Sequence, residues 1–288
     1  MARKIACANQ KGGVGKTTTV VNLATSLATA GCRVLVVDLD PQGNATSGFG
    51  VDRTTLDGTV YHVVLGDRDL ASVIVPSGIE RLDLAPASVS LAGAEVELAT
   101  TAQRERRVSR ALEALADRYD YLLLDCPPSL GLLTVNALTA ADAVLIPTQC
   151  EYYALEGLSQ LIATLNLVRD NLNPSLAIEG VVLTMFDART NLSADVAAEV
   201  RRHFGSAVFE TVIPRSVRLS EAPSFGLPIA RYRPESRGAV AYEMLAGEVL
   251  ARDGHRPPVV VPASGPDADP PDRTRPATVD VEAVGAHA

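Results

Sequence analysis

Asn9-Gln10-Lys11-Gly12-Gly13-Val14-Gly15-Lys16-Thr17-Thr18 decides how this chain is read, because it is a glycine-rich loop that closes on lysine and threonine. Gly15-Lys16-Thr17 stand at the spacing of the phosphate-binding pattern G-x-x-x-x-G-K-[ST], but position 10 is Gln10 rather than glycine, and a second lysine, Lys11, precedes Gly12. Glycines open backbone conformations closed to other residues, so several N–H groups can converge on phosphate oxygens where a helix begins. The candidate nucleotide-binding residues are therefore Lys11, Gly12, Gly13, Val14, Gly15, Lys16, Thr17 and Thr18. Lys16 is placed to contact the β- and γ-phosphates, and the Thr17 hydroxyl to ligate Mg²⁺, a cation that prefers oxygen donors.

Working outward, Lys4 to Ala8 reads as a short buried strand and Thr18 to Ala30 as a helix ending at Gly31, which is the strand, loop and helix order such a loop requires. Of 26 basic residues only Lys4, Lys11 and Lys16 are lysine, and two of these three sit in the loop. A compact ammonium on a flexible stem reaches a phosphate where a planar guanidinium would crowd the glycines.

Beyond the loop, strand-like and helix-like segments alternate for about 250 residues. Val34–Asp38, Tyr121–Leu124, Ala143–Pro147, Ile178–Met185 and Val208–Ile213 read as strands; Arg104–Asp117, Leu155–Arg169 and Asn191–Phe204 read as helices. Apolar strands between helices predict an α/β fold, a mostly parallel twisted sheet with helices on both faces, with ligands at the strands' carboxyl ends. Two strands end in acids. Val36-Val37-Asp38-Leu39-Asp40-Pro41-Gln42-Gly43-Asn44 leaves its strand with two carboxylates one residue apart. Leu122-Leu123-Leu124-Asp125-Cys126-Pro127-Pro128 has the Walker B pattern, in which a strand-end carboxylate holds Mg²⁺ through its water shell. An acid in that position is by itself an ordinary turn former; beside a phosphate loop it gains a second meaning.

Length and composition bound the rest. At 288 residues and 47% hydrophobic content the chain can bury one large core. No signal-peptide pattern and no apolar run approaching the roughly 20 residues of a membrane span occurs, so a soluble, cytoplasmic protein is expected. Cys7, Cys32, Cys126 and Cys150 form no C-x-x-C pair, and small buried thiols are expected. His62, His203, His255 and His287 have no metal-ligand spacing. From Gly254 the composition turns to Pro, Ala, Asp and Val, which divides the chain into a domain over 1–253 and a disordered tail over 254–288 without the basic face of a membrane-seeking helix.

Taken in order, K-G-G-V-G-K-T-T, V-D-L-D-P-Q-G-N-A-T-S and L-L-L-D-C-P-P-S resemble the ParA/MinD group of deviant-Walker P-loop ATPases. Glu151–Gly157 (E-Y-Y-A-L-E-G), Val182–Thr190 and Pro214–Gly226 resemble its chromosomal ParA, or Soj, branch, and the match runs from about residue 3 to 252. The resemblance implies an ATPase using ATP and Mg²⁺ that forms a homodimer with two ATP molecules sandwiched between subunits and hydrolyses them slowly. In it Lys11 matches the signature lysine that reaches nucleotide in the opposite subunit, and Gly12 the glycine that lets two loops approach. Asp40 matches the carboxylate that positions the attacking water, so Lys11, Lys16 and Asp40 are the candidate catalytic residues. Thr17, Asp38 and Asp125 match the Mg²⁺ site, and Pro214 the nucleotide pocket.

Between Arg189 and Arg237 eight arginines face five acids, a local net of +3 in a chain of net charge −8. Cations arrayed to neutralise phosphates would bind duplex DNA without reading sequence, although a solvated helix with local ion pairs carries the same composition. The resemblance adds Arg189 and Arg218 as DNA-binding candidates, while Arg215 fits DNA, the nucleotide pocket or a structural ion pair. Tyr152-Tyr153 reads as packing or dimer contact rather than base stacking.

The expected function is thus DNA partitioning: non-specific duplex binding by the ATP dimer, and release through hydrolysis stimulated by a ParB-like centromere-binding protein. The protein would be cytoplasmic, nucleoid-associated when ATP-bound, and not on a membrane. The DNA partitioned would be a chromosome or a plasmid, and because the chain starts at its first strand the longer plasmid partition proteins that repress their own operon are disfavoured. A ParA-like ATPase that positions a protein cargo, and a MinD-like membrane-associated ATPase, share the same nucleotide site and stand as alternatives. An iron–sulfur reductase of the nitrogenase type is disfavoured, because no second cysteine is suitably placed to hold a cluster with Cys126.

Overall fold

Alternate residues of the apolar strands serve opposite layers. Every residue of Tyr121–Asp125 is buried, with Tyr121 and Leu123 packed into one core and Leu122 and Leu124 into the other. Val34–Asp38 repeats this, Val34 and Val36 against Leu35 and Val37. Strands that hide both faces belong inside a sheet covered on each side by helices. The computed structural model, which describes residues 2–115, 117–152 and 154–254, has this architecture. The expected tail beyond Gly254, His255, His287 and Tyr153 lie outside the described residues.

In chain order the elements are β1 (Arg3–Cys7), α1 (Lys16–Thr29), β2 (Val34–Asp38), α2 (Asn44–Gly48), α3 (Val60–Leu65), β3 (Val75–Ile79), β4 (Leu82–Ala85), α4 (Ala94–Glu97), α5 (Arg107–Glu113), β5 (Tyr121–Asp125), α6 (Leu132–Ala140), β6 (Ala143–Gln149), α7 (Ala154–Asn171), β7 (Ala177–Phe186), α8 (Asn191–Phe204), β8 (Val208–Pro214), α9 (Val217–Glu221), α10 (Ile229–Tyr232) and α11 (Arg237–Arg252). The strands form one eight-stranded sheet in the order β3-β4-β2-β5-β1-β6-β7-β8, parallel except where β3 runs antiparallel to β4 at the edge. One core holds the apolar faces of α1 and α11; the other holds those of α3, α5, α6 and α7. Because the central strands are parallel, the ends of β1, β2, β5, β6, β7 and β8 share one edge, and every candidate nucleotide residue ends one of these strands or follows it.

The mostly parallel sheet agrees with the sequence reading, and α8 and β2 have the expected bounds. Helix α1 begins two residues earlier than expected, at Lys16, because Gly15 in a left-handed conformation sets its start. The expected helix over Arg104–Asp117 is a 3₁₀ turn followed by the shorter α5. Strands β3 and β4, helices α6 and α11 and several short helices are not assigned from sequence, and for β3, α6 and α11 there is a physical reason. Strand β3 carries Pro76 and Gly78, residues depleted in strand interiors. Helix α6 is buried over most of its surface and shows no polar stripe. In α11 Gly238 and the interior Gly247 weaken the helical signal, and Gly238 is required by packing, since an added Cβ would lie 2.8 Å from Leu219.

Candidate active site

The loop between β1 and α1 takes its shape from Gly13 and Gly15, whose φ angles of 74° and 88° are unfavourable for residues with a Cβ. Gly15 caps α1 with no side-chain hydrogen bond, and the first turn contains no acid. A serine or aspartate cap would have consumed N–H groups that here stay free for an anion, favoured further by the helix dipole. Neighbouring strands hold the loop. Asn9 Nδ2 donates to the Pro147 carbonyl at 2.7 Å while its Oδ1 accepts from the Lys11 N–H at 3.0 Å, and the Thr184 hydroxyl donates to the Val14 carbonyl at 2.8 Å. Lys16 is buried, with its ammonium donating to the Lys11 carbonyl at 3.3 Å.

Asp38 and Asp125 are register partners at the ends of β2 and β5, and both are completely buried. Asp38 accepts from the Thr46 N–H at 2.9 Å, from the Thr46 hydroxyl at 2.7 Å and from the Asp40 N–H at 3.2 Å. Burial outweighs these bonds and, with the Asp40 charge, pushes the Asp38 carboxyl up to about 6. Among the described residues no donor makes a well-formed hydrogen bond to either Asp125 oxygen, the Thr17 hydroxyl being the side chain placed to reach it. Burial and the Asp38 charge drive its carboxyl well above the usual range, against weaker opposing effects of Thr17 and Lys16. Two adjacent buried acids with one lysine nearby call for another cation. A threonine hydroxyl and carboxylates around such a point are the hard oxygen donors that Mg²⁺ takes, so the residues present fit that ion.

Asp40 is buried in the turn that follows; its Oδ1 accepts from the Gln42 N–H at 2.9 Å, and its carbonyl accepts from the Gly43 N–H at 2.8 Å. Lys11 is paired within the chain, with its ammonium 2.6 Å from Glu151 Oε2 just past β6. Two cavities open beside the loop. One of about 350 Å³ is lined by Gly15, Thr18, Met185, Pro214, Arg215 and Tyr242 among others. The second, of about 410 Å³, lies along Thr17, Thr18, Asn22, Asn44 and Ser47. Met185 holds a φ of 51°, in the left-handed region where a non-glycine residue is under strain.

The structure therefore brings together Lys11 to Thr18, Asp38, Asp40, Asp125, Pro214 and Arg215. Arg189 and Arg218 line neither cavity. Both are at the surface and both are paired: Arg189 with Asp187 at 2.7 Å, and Arg218 with Glu221 at 2.7 Å. Arg202 pairs with Glu199 in the same way. The arginine pulls the Asp187 carboxyl far below its usual range, and Asp187 stands just outside the Arg189–Arg237 window whose net charge is +3. Three site contacts have no sequence signature: Thr46 on Asp38, Glu151 on Lys11, and Arg53 on the carbonyl of Gln42 at 2.6 Å. Thr46 is eight residues from its partner and Glu151 is 140, so spacing alone cannot pair them. All four cysteines are buried, and no helix among the described residues is long and apolar enough to cross a membrane.

Comparison with known proteins agrees with this geometry. A family model described as an AAA domain matches residues 2–178. The chain is 59% identical over 251 residues to the sporulation initiation inhibitor protein Soj of Bacillus subtilis, covering 87% of this chain and 99% of that one. It is 54% identical over 258 residues to the chromosome partitioning protein ParA of Myxococcus xanthus, covering 90% and 91%. Among solved structures, the septum site-determining protein MinD of Pyrococcus horikoshii, complexed with Mg-ADP, superposes with a TM-score of 0.74 at 29% identity over 88% of this chain and 98% of that one. Cobyrinic acid a,c-diamide synthase of Mycobacterium smegmatis, with bound ADP and magnesium, gives 0.76 at 39% identity over 91% and 100%. The chain belongs to the Soj/ParA family of deviant-Walker P-loop ATPases.

Proposed function

We propose that this protein is a DNA-partitioning ATPase that converts ATP and water to ADP and phosphate, dimerises around ATP, binds duplex DNA without sequence preference, and is released when a ParB-like partner stimulates hydrolysis. The observation that carries the nucleotide chemistry is Asp125, a buried carboxylate beside Thr17 with no well-formed hydrogen bond among the described residues, at the mouth of a phosphate-binding loop. Partitioning is supported by the chromosome partitioning proteins that are 54% and 53% identical to it over 258 and 256 aligned residues. On this reading residues 1–253 are the ATPase domain and 254–288 a tail, and the protein moves between cytoplasm and nucleoid with its nucleotide state.

Within the site, Lys16 and the loop N–H groups bind the phosphates, Pro214 borders the nucleoside, and Thr17, Asp38 and Asp125 hold Mg²⁺, the carboxylates through water. Mg²⁺ supplies positive charge against the phosphate oxygens. Asp40 holds the attacking water in line, a task suited to a carboxylate whose own loop is fixed by hydrogen bonds. Lys11 leaves Glu151 and carries its charge to the partner subunit's nucleotide, where it stabilises charge on the transferred phosphoryl. Gly12 supports a dimer: an added Cβ would meet no atom within 4 Å and the residue has no positive φ, so this chain alone gives glycine no local purpose there. Two joined subunits turn weak DNA half-sites into one useful footprint.

Binding to non-specific duplex DNA, measured at fixed moderate salt with ATP, with ADP and without nucleotide, tests the cycle. ATP-dependent binding that Arg218→Glu abolishes is expected. Binding indifferent to nucleotide would remove partitioning and leave an ATPase.

A further inference from the structure

We propose that Arg53 is a positioning residue for hydrolysis, which clamps the Gln42-Gly43 backbone and thereby sets the carboxylate of Asp40; this rests on the reading of Asp40 given above. The inner side of the turn is held by its own polar groups: Asp40 N–H to Asp38, Gln42 N–H to Asp40 Oδ1, and Gly43 N–H to the Asp40 carbonyl. The outer side is held by Arg53, whose Nη1 donates to the Gln42 carbonyl at 2.6 Å. The same side chain lies flat on Gly43. A Cβ built there would fall 2.6 Å from Arg53 Nη1 and 3.1 Å from its Cδ, and Gly43 has a φ of +64°, so this position suits glycine for conformation and for contact.

Arg53 is itself anchored and otherwise uncommitted. It opens a 3₁₀ turn whose cap, Asp52, accepts at Oδ1 from the Thr54 N–H at 2.9 Å and from the Thr54 hydroxyl at 2.7 Å, which engages one oxygen of the carboxylate next to it in the chain. Among the described residues Arg53 has no ion pair, unlike Arg33, Arg68, Arg189 and Arg218. An exposed guanidinium that donates to a backbone carbonyl two residues beyond a candidate catalytic acid, and to no carboxylate, has a positional task.

The test is ATP turnover and affinity for a fluorescent ATP analogue in the full chain, for wild type, Arg53→Ala, Arg53→Lys, Asp40→Ala and the Arg53→Ala, Asp40→Ala double variant. Arg53→Ala is expected to lower kcat about tenfold, the loss of one charge-assisted contact. Nucleotide affinity and Tm should stay near wild type, and Arg53→Lys should recover part of the rate. The double variant should be no slower than Asp40→Ala, because Arg53 acts through Asp40. Wild-type kcat in Arg53→Ala with a dead Asp40→Ala overturns the role of Arg53 alone. So does a further additive loss in the double variant, or a joint fall in affinity and Tm. Wild-type turnover in Asp40→Ala overturns instead the reading of Asp40 on which the proposal rests.

Discussion

The phosphate end of this molecule and its arginine-rich region differ in how much of their charge is already answered within the chain. At the phosphate end Asp125 is buried with no well-formed hydrogen bond among the described residues and Asp38 sits beside it, so the fold holds acids whose charge calls for an added cation or a proton. In the arginine-rich region Arg189, Arg202 and Arg218, three of the eight arginines, each face an acid, so at those positions the charge is answered before any nucleic acid arrives. An unanswered buried charge is expensive and marks a site strongly; a paired surface charge costs little and marks one weakly.

The largest expected effect breaks this contrast at its strong end. Lys16→Ala should lose nucleotide affinity by about 100-fold or more, since it removes a buried ammonium facing the phosphates. Among the described residues the ammonium's only hydrogen bond is the 3.3 Å contact to the Lys11 carbonyl, so the protein without nucleotide should melt near wild type. Thermal shift with and without Mg-ATP reads both, and an undiminished ATP-induced stabilisation in Lys16→Ala would show that the charge balance at the loop has been misjudged.

The next effect is pH dependence. Asp38 is raised to about 6 and Asp125 further in the same direction, both above the ordinary carboxylate value. The folded protein then binds more protons than the unfolded chain between about pH 4 and the folded values, so this contribution to stability falls as pH rises through that window. Asp125→Asn removes one of the two acids. In the absence of nucleotide it should melt several degrees above wild type at pH 8, with the gap closing at pH 5. Mg-ATP affinity of the wild type should fall about fivefold or more between pH 7.5 and 5.5, as protons compete with the metal. An Asp125→Asn variant no more stable than wild type at pH 8 would mean that this pair is not the uncompensated charge described above.

The same contrast explains what was legible in the sequence. Loop glycines, strand-end acids and two-sided apolar strands are local patterns enforced by backbone geometry and burial, so Gly13, Gly15, Asp38 and Asp125 could be placed from their neighbours in the chain. Contacts made across the fold carry no such pattern. Glu151 meets Lys11 only because β6 ends beside the loop that follows β1, and Arg53 meets Gln42 only because the chain turns back after α2. Strand β3, with Pro76 and Gly78, is a strand because β4 pairs with it rather than by propensity. In the arginine-rich region a charge count stopped two residues short of Asp187 and so missed the pairing that geometry makes plain.

The smallest expected effect acts at the weak end and sharpens the contrast. Asp187 grips Arg189 through two side-chain hydrogen bonds, at 2.9 and 2.7 Å, and accepts the Arg189 N–H at 3.0 Å. Asp187→Asn keeps an oxygen acceptor for the turn but removes the negative charge that competes with phosphate for the guanidinium. If Arg189 meets DNA, the variant should bind duplex about two- to fivefold more tightly at low salt, with a salt dependence steeper by about one phosphate contact. Thermal stability should change little, because the pair is exposed and screened by solvent. Asp187 also sits far below its ordinary value, so the wild-type pair should persist down to strongly acid pH and does not switch near neutrality. Unchanged affinity and salt slope would place Arg189 among structural ion pairs and move the DNA surface toward arginines without an acid beside them.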